Sequence, residues 1–134
     1  MPRDKVEVAK RVVDTYNRRD VDGFFAELAT PDFELYPGTV SALDGGGYRG
    51  PEGVQRYMVD VSEDWGELQN VPEEFRDLGD RVLVLFTFRG RGKGSGAPVE
   101  QPAACIFDFR GDRTWRARVY LDRAEGLRVA GVSE

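Results

Sequence analysis

The stretch RVLVLFTFRGR, residues 81–91, decides the fold, because apolar side chains occupy both faces of one predicted strand. Alternate residues of a strand point to opposite sides of its sheet. One side carries four apolar residues, Val82, Val84, Phe86 and Phe88. The other side carries Leu83 and Leu85. Both faces of the sheet should therefore be covered by other parts of the structure.

Residues 98–110 repeat this two-sided pattern and predict a neighbouring strand, with Cys105 on one face and Ile106 on the other. Period-two alternation predicts two further strands, at residues 67–78 and 113–121. Glycine–aspartate dipeptides at the strand ends predict tight turns, so these strands form an antiparallel meander.

Helical spacing dominates the first third of the chain. Apolar residues recur every three or four positions over residues 4–18, and a second helix follows Asp20, a suitable N-cap. Pro51 suits the first turn of a third helix, and Asp122 begins a short C-terminal helix. With a short strand at residues 33–36, the order is α-α-β-α-β-β-β-β and a final helix. This order predicts an α+β fold in which a curved antiparallel sheet wraps around the N-terminal helices.

The outer face of that sheet needs a partner, because the helices cover only the inner face. We expect a second copy of the chain there, giving a homodimer through the outer sheet face. The alternative is a monomer whose sheet is incompletely wrapped. A mass of one chain at micromolar concentration would count against the dimer.

Composition restricts the class of protein. A length of 134 residues predicts a single domain over residues 1–134, and 40% hydrophobic residues are enough to fill a core. The formal charge of −5 disfavours nucleic acid and anionic lipid as partners. The sequence has no apolar run long enough to span a membrane, and its charged N-terminus lacks a signal-peptide core. The single cysteine fits a reducing cytoplasm.

The sequence contains no histidine. This excludes Ser-His-Asp and Cys-His catalysis and the usual zinc sites. Any catalysis must therefore use carboxylate, Tyr, Lys, Arg or Cys side chains.

Five stretches carry a resemblance to a known family through their order and spacing. They are NRRDVDG at residues 17–23, LATPDF at 28–33, YP at 36–37, YRGPEGV at 48–54 and RVYLDRAEGL at 118–127. Together they resemble the nuclear transport factor 2-like superfamily, specifically its SnoaL-like and ketosteroid-isomerase-like members. The resemblance implies a cone-shaped, cystatin-like fold whose concave sheet face encloses a deep pocket. Members include isomerases, polyketide cyclases, epoxide hydrolases, dehydratases and proteins with no known catalysis, so the fold alone does not assign an activity.

The catalytic residues of the best-known members are substituted in this chain. Ketosteroid isomerases use an Asp base and hold the enolate oxygen with a Tyr and a protonated Asp. The resemblance places these three roles at Tyr36, Val12 and Cys105. The catalytic positions of epoxide-hydrolase-like members fall at Phe86, Phe88 and Val119. Neither chemistry is expected here in its usual form.

The predicted pocket is apolar with few polar groups, which suits a small hydrophobic molecule of polyketide- or steroid-like type. The expected ligand-binding residues are Tyr57, Trp65, Phe86, Phe88, Cys105, Trp115 and Val119, with Ala117 and Leu121 nearby. The alternative is that these side chains simply fill the core. An open pocket of several hundred cubic ångströms favours ligand binding, and a filled one favours a non-catalytic scaffold.

Tyr36 is the expected catalytic residue. A phenol near the pocket mouth donates a hydrogen bond to a ligand carbonyl or acts as a weak general acid. The alternative is a tyrosine that only caps the strand end. Cys105 as a nucleophile lacks a histidine to activate it, so a small buried apolar role is favoured.

Three weaker patterns have simpler explanations. Asp60, Glu63 and Asp64 share a helix face, but a solvated face explains them better than a metal site. GGGYRG at residues 45–50 matches a dinucleotide-binding pattern without the surrounding βαβ unit, so no cofactor is expected. Residues 89–96 are basic and glycine-rich, which predicts a mobile hairpin tip rather than a contact with an anionic partner.

The sequence therefore supports two hypotheses. The first is a SnoaL-like protein that binds a small hydrophobic molecule, with isomerase- or cyclase-type proton transfer as an extension of that role. The second is a non-catalytic dimeric binding or scaffold protein of the same fold.

Overall fold

The computed structural model describes residues 4–38 and 47–132. This part of the chain forms four helices and six strands. The helices are α1 (Lys5–Arg18), α2 (Val21–Glu27), α3 (Gly50–Asp64) and α4 (Arg123–Ala130). The strands are β1 (Ala29–Tyr36), β2 (Tyr48–Arg49), β3 (Trp65–Asp77), β4 (Arg81–Gly92), β5 (Pro98–Arg110) and β6 (Arg113–Tyr120). The predicted α+β order is confirmed, with the two-residue strand β2 added.

Aspartate side chains fix the starts of three helices. Asp4 accepts a hydrogen bond from the Val6 amide at 2.8 Å and caps α1. Asp20 caps α2 and Asp122 caps α4 in the same way. Each carboxylate pairs with an amide that has no partner inside its helix, which sets where the helix begins.

The strands lie in one sheet in the order β2-β1-β6-β5-β4-β3. Strands β3 to β6 pair antiparallel, as the meander predicts. Strand β1 instead runs parallel to β6, with Leu35 beside Ala117. The predicted antiparallel meander covers only β3 to β6, so the parallel pairing of β1 with β6 adds to that prediction. Register shifts in the β3–β4 pair accompany the curvature of the sheet.

Two apolar layers lie on opposite faces of the sheet. The inner layer joins the helices to the inner side chains of β4 and β5, including Val84, Phe86 and Phe107. The outer layer packs Leu83 and Ile106 against the chain's own helix α4. The two-sided strand pattern predicts a second copy of the chain over these outer residues, whereas α4 covers them. The homodimer stays a prediction, and only the uncovered part of the outer face is free for it.

Candidate functional site

The helices and the concave sheet face enclose a cavity of about 80 Å³. Its wall is built mainly from inner-facing apolar side chains of α1, α2, α3, β1, β4, β5 and β6. The apolar members are Val12, Val13, Val21, Phe24, Phe33, Leu35, Val54, Met58, Phe88, Phe107, Ala117 and Val119. The others are Thr15, Tyr16, Asp20, Tyr57, Asn70 and Cys105. The cavity thus offers a large apolar surface and a few hydrogen-bonding groups.

Four of the ligand-binding residues expected from the sequence line this cavity. They are Tyr57 on α3, Phe88 on β4, Cys105 on β5 and Val119 on β6. Cys105 and Val119 are direct cross-strand partners and therefore share the concave face.

Phe86 and Trp65 lie elsewhere. Phe86 is fully buried, and its ring packs edge-on against Phe88 with the ring centroids 4.7 Å apart. It faces inward as expected but fills the core instead of forming the cavity wall. Trp65 is partly exposed at the junction of α3 and β3, next to a register shift in the β3–β4 pair. Trp65 therefore does not follow the regular alternation of β3, and it is not part of the cavity wall.

Trp115 is displaced to the outer face by an irregularity in β6. Phe109 pairs with Thr114 and Asp108 pairs with Arg116, so Trp115 is an extra residue between them. An extra residue of this kind interrupts the alternation of a strand. Two guanidinium groups lie over the Trp115 ring, that of Arg110 at 4.6 Å and that of Arg116 at 4.5 Å from the ring centroid.

Tyr36, the expected catalytic residue, also lies on the outer face. Leu35 points into the cavity, so its neighbour Tyr36 points to the other side of β1. The Tyr36 hydroxyl donates a hydrogen bond to Glu34 at 2.7 Å. That carboxylate raises the pKa of the phenol. Tyr36 therefore contributes to an outer groove and has no contact with the cavity.

A pair of tyrosines supplies hydroxyl groups to the cavity. The hydroxyl oxygens of Tyr16 on α1 and Tyr57 on α3 lie 3.3 Å apart. Burial raises the pKa of both phenols, and the neighbouring Tyr16 raises that of Tyr57 further. Both remain protonated at neutral pH. One hydroxyl proton serves the mutual hydrogen bond, and the other is free to be donated.

Asn70 brings an amide into the wall. It pairs with Phe88 across β3 and β4, so both side chains lie on the concave face. The Asn17 side chain holds the backbone at Asn70. It donates to the Asn70 carbonyl at 2.9 Å and accepts from the Asn70 amide at 2.8 Å. Strand β3 is an edge of the sheet, and Asn17 occupies its free backbone groups at this point.

The remaining reactive groups in the wall have little freedom. The Asp20 carboxylate accepts from the Gly23 amide at 3.0 Å as the α2 cap. The Cys105 thiol is 4% exposed, and burial raises its pKa strongly. A protonated thiol is a poor nucleophile, in agreement with an apolar role for Cys105.

The outer groove has a volume of about 680 Å³ and is lined by charged, aromatic and apolar residues. Arg116 donates to the buried Asp108 carboxylate at 2.8 Å, and Arg118 lies 3.2 Å from the same group. Asp122 and Glu125 line the groove as well. The groove therefore combines apolar surface with charges of both signs.

The weaker sequence patterns do not form a second site in the described residues. Asp60 accepts a hydrogen bond from the Tyr48 hydroxyl at 2.9 Å. The Asp64 side chain, Gly45 and Gly46 lie outside the described part of the chain. No cluster of three potential metal ligands occurs within residues 4–38 and 47–132. In the same ranges, no helix combines the length and apolar character needed to cross a membrane.

Sequence reasoning missed Tyr16 and Asn70 as site residues. Tyr16 lies in the apolar stripe of α1, a pattern that predicts only packing. The hydroxyl group of Tyr16, at the C-terminal end of an otherwise apolar stripe, is the sequence signal that could identify it as a site residue. Asn70 is a polar residue at an inward position of a predicted strand, opposite Phe88. Recognising Asn70 as an inward-facing residue requires the β3–β4 register, which cannot be read from the sequence alone.

A family model described as a SnoaL-like domain matches residues 9–117. No curated protein matches the chain. Among solved structures, an NTF2-like protein from Burkholderia xenovorans LB400 is 25% identical, with a TM-score of 0.72 over 97% of this chain and 98% of that one. TerC, co-crystallised with polyporic acid, is 19% identical with a TM-score of 0.76 over 95% and 98% of the two chains.

A third similar structure comes from Catenulispora acidiphila DSM 44928. It is a hypothetical protein with a ketosteroid-isomerase-like fold, in complex with trimethylamine. It is 16% identical, with a TM-score of 0.73 over 95% of this chain and 94% of that one. At these identities, the structural matches establish a shared fold.

Proposed function

The chain belongs to the SnoaL-like domain family, and we propose that it binds a small, mainly apolar organic molecule in its cavity. The observation that carries this proposal is an apolar wall interrupted by a few hydrogen-bonding groups. Apolar pockets with sparse polar groups are typical of small-molecule sites, where the polar groups orient the ligand. Here Tyr16 and Tyr57 supply the hydroxyl groups, 3.3 Å apart.

The volume of the cavity limits the size of the ligand. Polyketide- or steroid-like ligands need pockets of roughly 300 Å³ or more. The cavity of about 80 Å³ is much smaller than that, so its volume favours a smaller ligand than the polyketide- or steroid-like type and keeps the scaffold role as the alternative. An engineered cavity of about 150 Å³ accepts benzene, so a single ring requires modest widening here. The half-buried Met58 and Phe88 side chains are suited to this movement.

Two proteins of the same fold support a small organic ligand. One crystallised in complex with trimethylamine and the other with polyporic acid. We therefore favour small organic ligands over polyketide- or steroid-like ligands for the present chain.

Binding is favoured over turnover by the state of the ionisable groups. The tyrosine pair serves as a neutral donor, because burial raises both pKa values. Isomerase- or cyclase-type proton transfer also needs a base. Asp20 is the carboxylate among the described wall residues, and it is engaged as a helix cap. A reaction would require Asp20 to leave the Gly23 amide.

The buried free thiol of Cys105 is also compatible with the predicted cytoplasmic location.

The proposal is tested by nuclear magnetic resonance titration with toluene, which probes the apolar wall. We expect chemical-shift changes at cavity residues such as Val119 and Phe88. Val119→Phe should fill the cavity and abolish these changes. Val129→Phe is the matched control on α4, where Val129 is 40% exposed. Absence of toluene binding to the unmodified protein, or equal binding to Val119→Phe, contradicts the proposal.

A second candidate role is a homodimeric scaffold that uses the uncovered outer face. Its support is the groove, which places Arg116 and Arg118 near Asp122 and Glu125. A two-fold axis would bring unlike charges of two copies together. Arginine and tyrosine are also enriched in interfaces. We expect a dimer mass by light scattering at low salt and partial dissociation at high salt. A single-chain mass at low salt contradicts this role.

A further inference from the structure

The side-chain oxygen of Asn70 is a buried hydrogen-bond acceptor without a partner among the described residues. Asn70 belongs to the cavity wall, and it shares the concave face with Phe88. Buried polar groups in proteins almost always have a hydrogen-bond partner. An acceptor of this kind in a cavity wall is therefore suited to a donor on the ligand.

The surroundings prevent Asn70 from finding a partner by shifting along the sheet. Both of its backbone groups are bound by Asn17. Two residues earlier, the Leu68 carbonyl accepts from the Arg19 guanidinium at 2.7 Å. The end of α1 thus fixes this part of β3 at two points. These bonds hold the backbone at Asn70 and leave its side-chain oxygen without a partner among the described residues.

The polar groups of the wall complement one another. The tyrosine pair has one hydroxyl proton left to donate, and the Asn70 oxygen accepts. A neutral hydroxyl group on a ligand both donates and accepts one hydrogen bond. A carboxylate only accepts, so it would satisfy the tyrosines and leave the Asn70 oxygen facing a negative charge.

We propose that the cavity selects small ring compounds with a neutral hydroxyl group, whose proton is donated to the Asn70 side-chain oxygen. This inference rests on the proposed binding function and names the class of its ligand. In the complex, the ligand oxygen accepts from the tyrosine pair while its hydrogen points to Asn70. Asn70 is then the residue that determines specificity, and the apolar wall holds the ring.

The test compares toluene, anisole and phenol by calorimetric titration of the full chain. Phenol donates and accepts, anisole only accepts, and toluene does neither. We expect phenol to bind at least about tenfold more tightly than anisole, because anisole leaves the Asn70 acceptor unpaired. Asn70→Leu should reduce this ratio to less than about threefold, since the acceptor is removed. Asn70→Asp keeps an acceptor oxygen and should keep the preference for phenol.

Gln69→Leu is the matched control, because Gln69 is the exposed neighbour of Asn70 on β3. It should leave the phenol-to-anisole ratio unchanged. Circular dichroism verifies that each variant folds. The comparison of phenol, anisole and toluene in the unmodified protein does not depend on the variants. If all three compounds bind equally, the inference fails and the binding function stands. Tighter binding of anisole than of phenol also overturns it, since the amide would then present its NH2 group. If none binds, both proposals fail.

Discussion

Asp108 is the residue that organises the charged part of the outer face. It is 5% exposed, and both Arg116 and Arg118 pair with its carboxylate. Trp115 then stacks on the Arg116 guanidinium. Removing the carboxylate would leave two partly buried cations with no counter-charge, which is costly in a medium of low polarity.

We therefore predict that Asp108→Ala lowers the free energy of unfolding by about 3 kcal/mol. The measurement is the urea midpoint at neutral pH. Asp32→Ala is the control, because the Asp32–Arg110 pair is solvent-exposed on both sides. It should leave the midpoint nearly unchanged, since exposed ion pairs contribute little. Equal losses in both variants would show that burial of Asp108 does not matter.

Cys105 provides a second test at this scale. Burial raises the pKa of its thiol, so the reactive thiolate is scarce in the folded protein. We predict that a thiol reagent at pH 8 modifies the native chain far more slowly than the urea-unfolded chain. The chain has one cysteine, so the rate reports on this site alone. Similar rates in the two states would contradict its burial.

The misplaced site residues show what local patterns leave out. Alternation along residues 33–36 already puts Tyr36 on the face opposite to Leu35. Tyr36 was placed in the pocket by the resemblance to ketosteroid isomerases, without regard to this alternation. Counting back from Val119 in steps of two residues puts Trp115 on the concave face only if β6 is a regular strand. The extra residue in β6 breaks that count, and nothing in the local sequence marks it.

At the scale of elements, α4 depends on a glycine for its close approach to the sheet. A Cβ atom at Gly126 would lie 2.7 Å from the Cβ of Ala104 on β5. Neither atom is the end of a flexible side chain, so the helix would have to move away. Arg123 also anchors α4, since its guanidinium donates to the Ala103 and Phe86 carbonyls.

Gly126→Ala should therefore destabilise the protein, although alanine normally favours a helix by about 1 kcal/mol over glycine. The expected result is a lower midpoint of thermal unfolding. Combining it with Ala104→Gly removes the clash and should recover most of the loss. A stabilised single variant would mean that α4 is not packed tightly on β5.

The sequence predicted the elements well wherever a cap or a regular period marked them. Asp20 and Asp122 begin their helices as expected, and the two-sided strands 81–91 and 98–110 are interior strands with a neighbour on each side. The packing partner of the outer face was not predictable in this way. Helix α4 is short, and its apolar residues Leu127 and Ala130 carry little signal of where they dock.

For the whole molecule, tyrosine ionisation predicts a loss of stability at alkaline pH. Tyr16 and Tyr57 have pKa values above the ordinary value of 10.0, chiefly because they are buried. An unfolded chain loses these protons near pH 10, whereas the folded chain keeps them. The folded state then binds more protons, so stability falls as pH rises above about 10.

We expect the urea midpoint to fall between pH 8.5 and pH 10.5. Tyr57→Phe should make this fall smaller, because one of the contributing phenols is removed. Tyr120→Phe, on the outer face, should keep the full dependence. An unchanged dependence in Tyr57→Phe would show that the cavity phenols ionise as freely as those in water.

The parallel pairing of β1 with β6 has a consequence for biosynthesis. Leu35 reaches its neighbour Ala117 only after β3, β4 and β5, which lie between them in the sequence, have been translated. A nascent chain on the ribosome therefore carries α1, α2 and β1 with Phe24 and Phe33 still unprotected. Chaperones can bind these exposed apolar segments during synthesis, because the β1–β6 pairing forms only after β6 has left the exit tunnel.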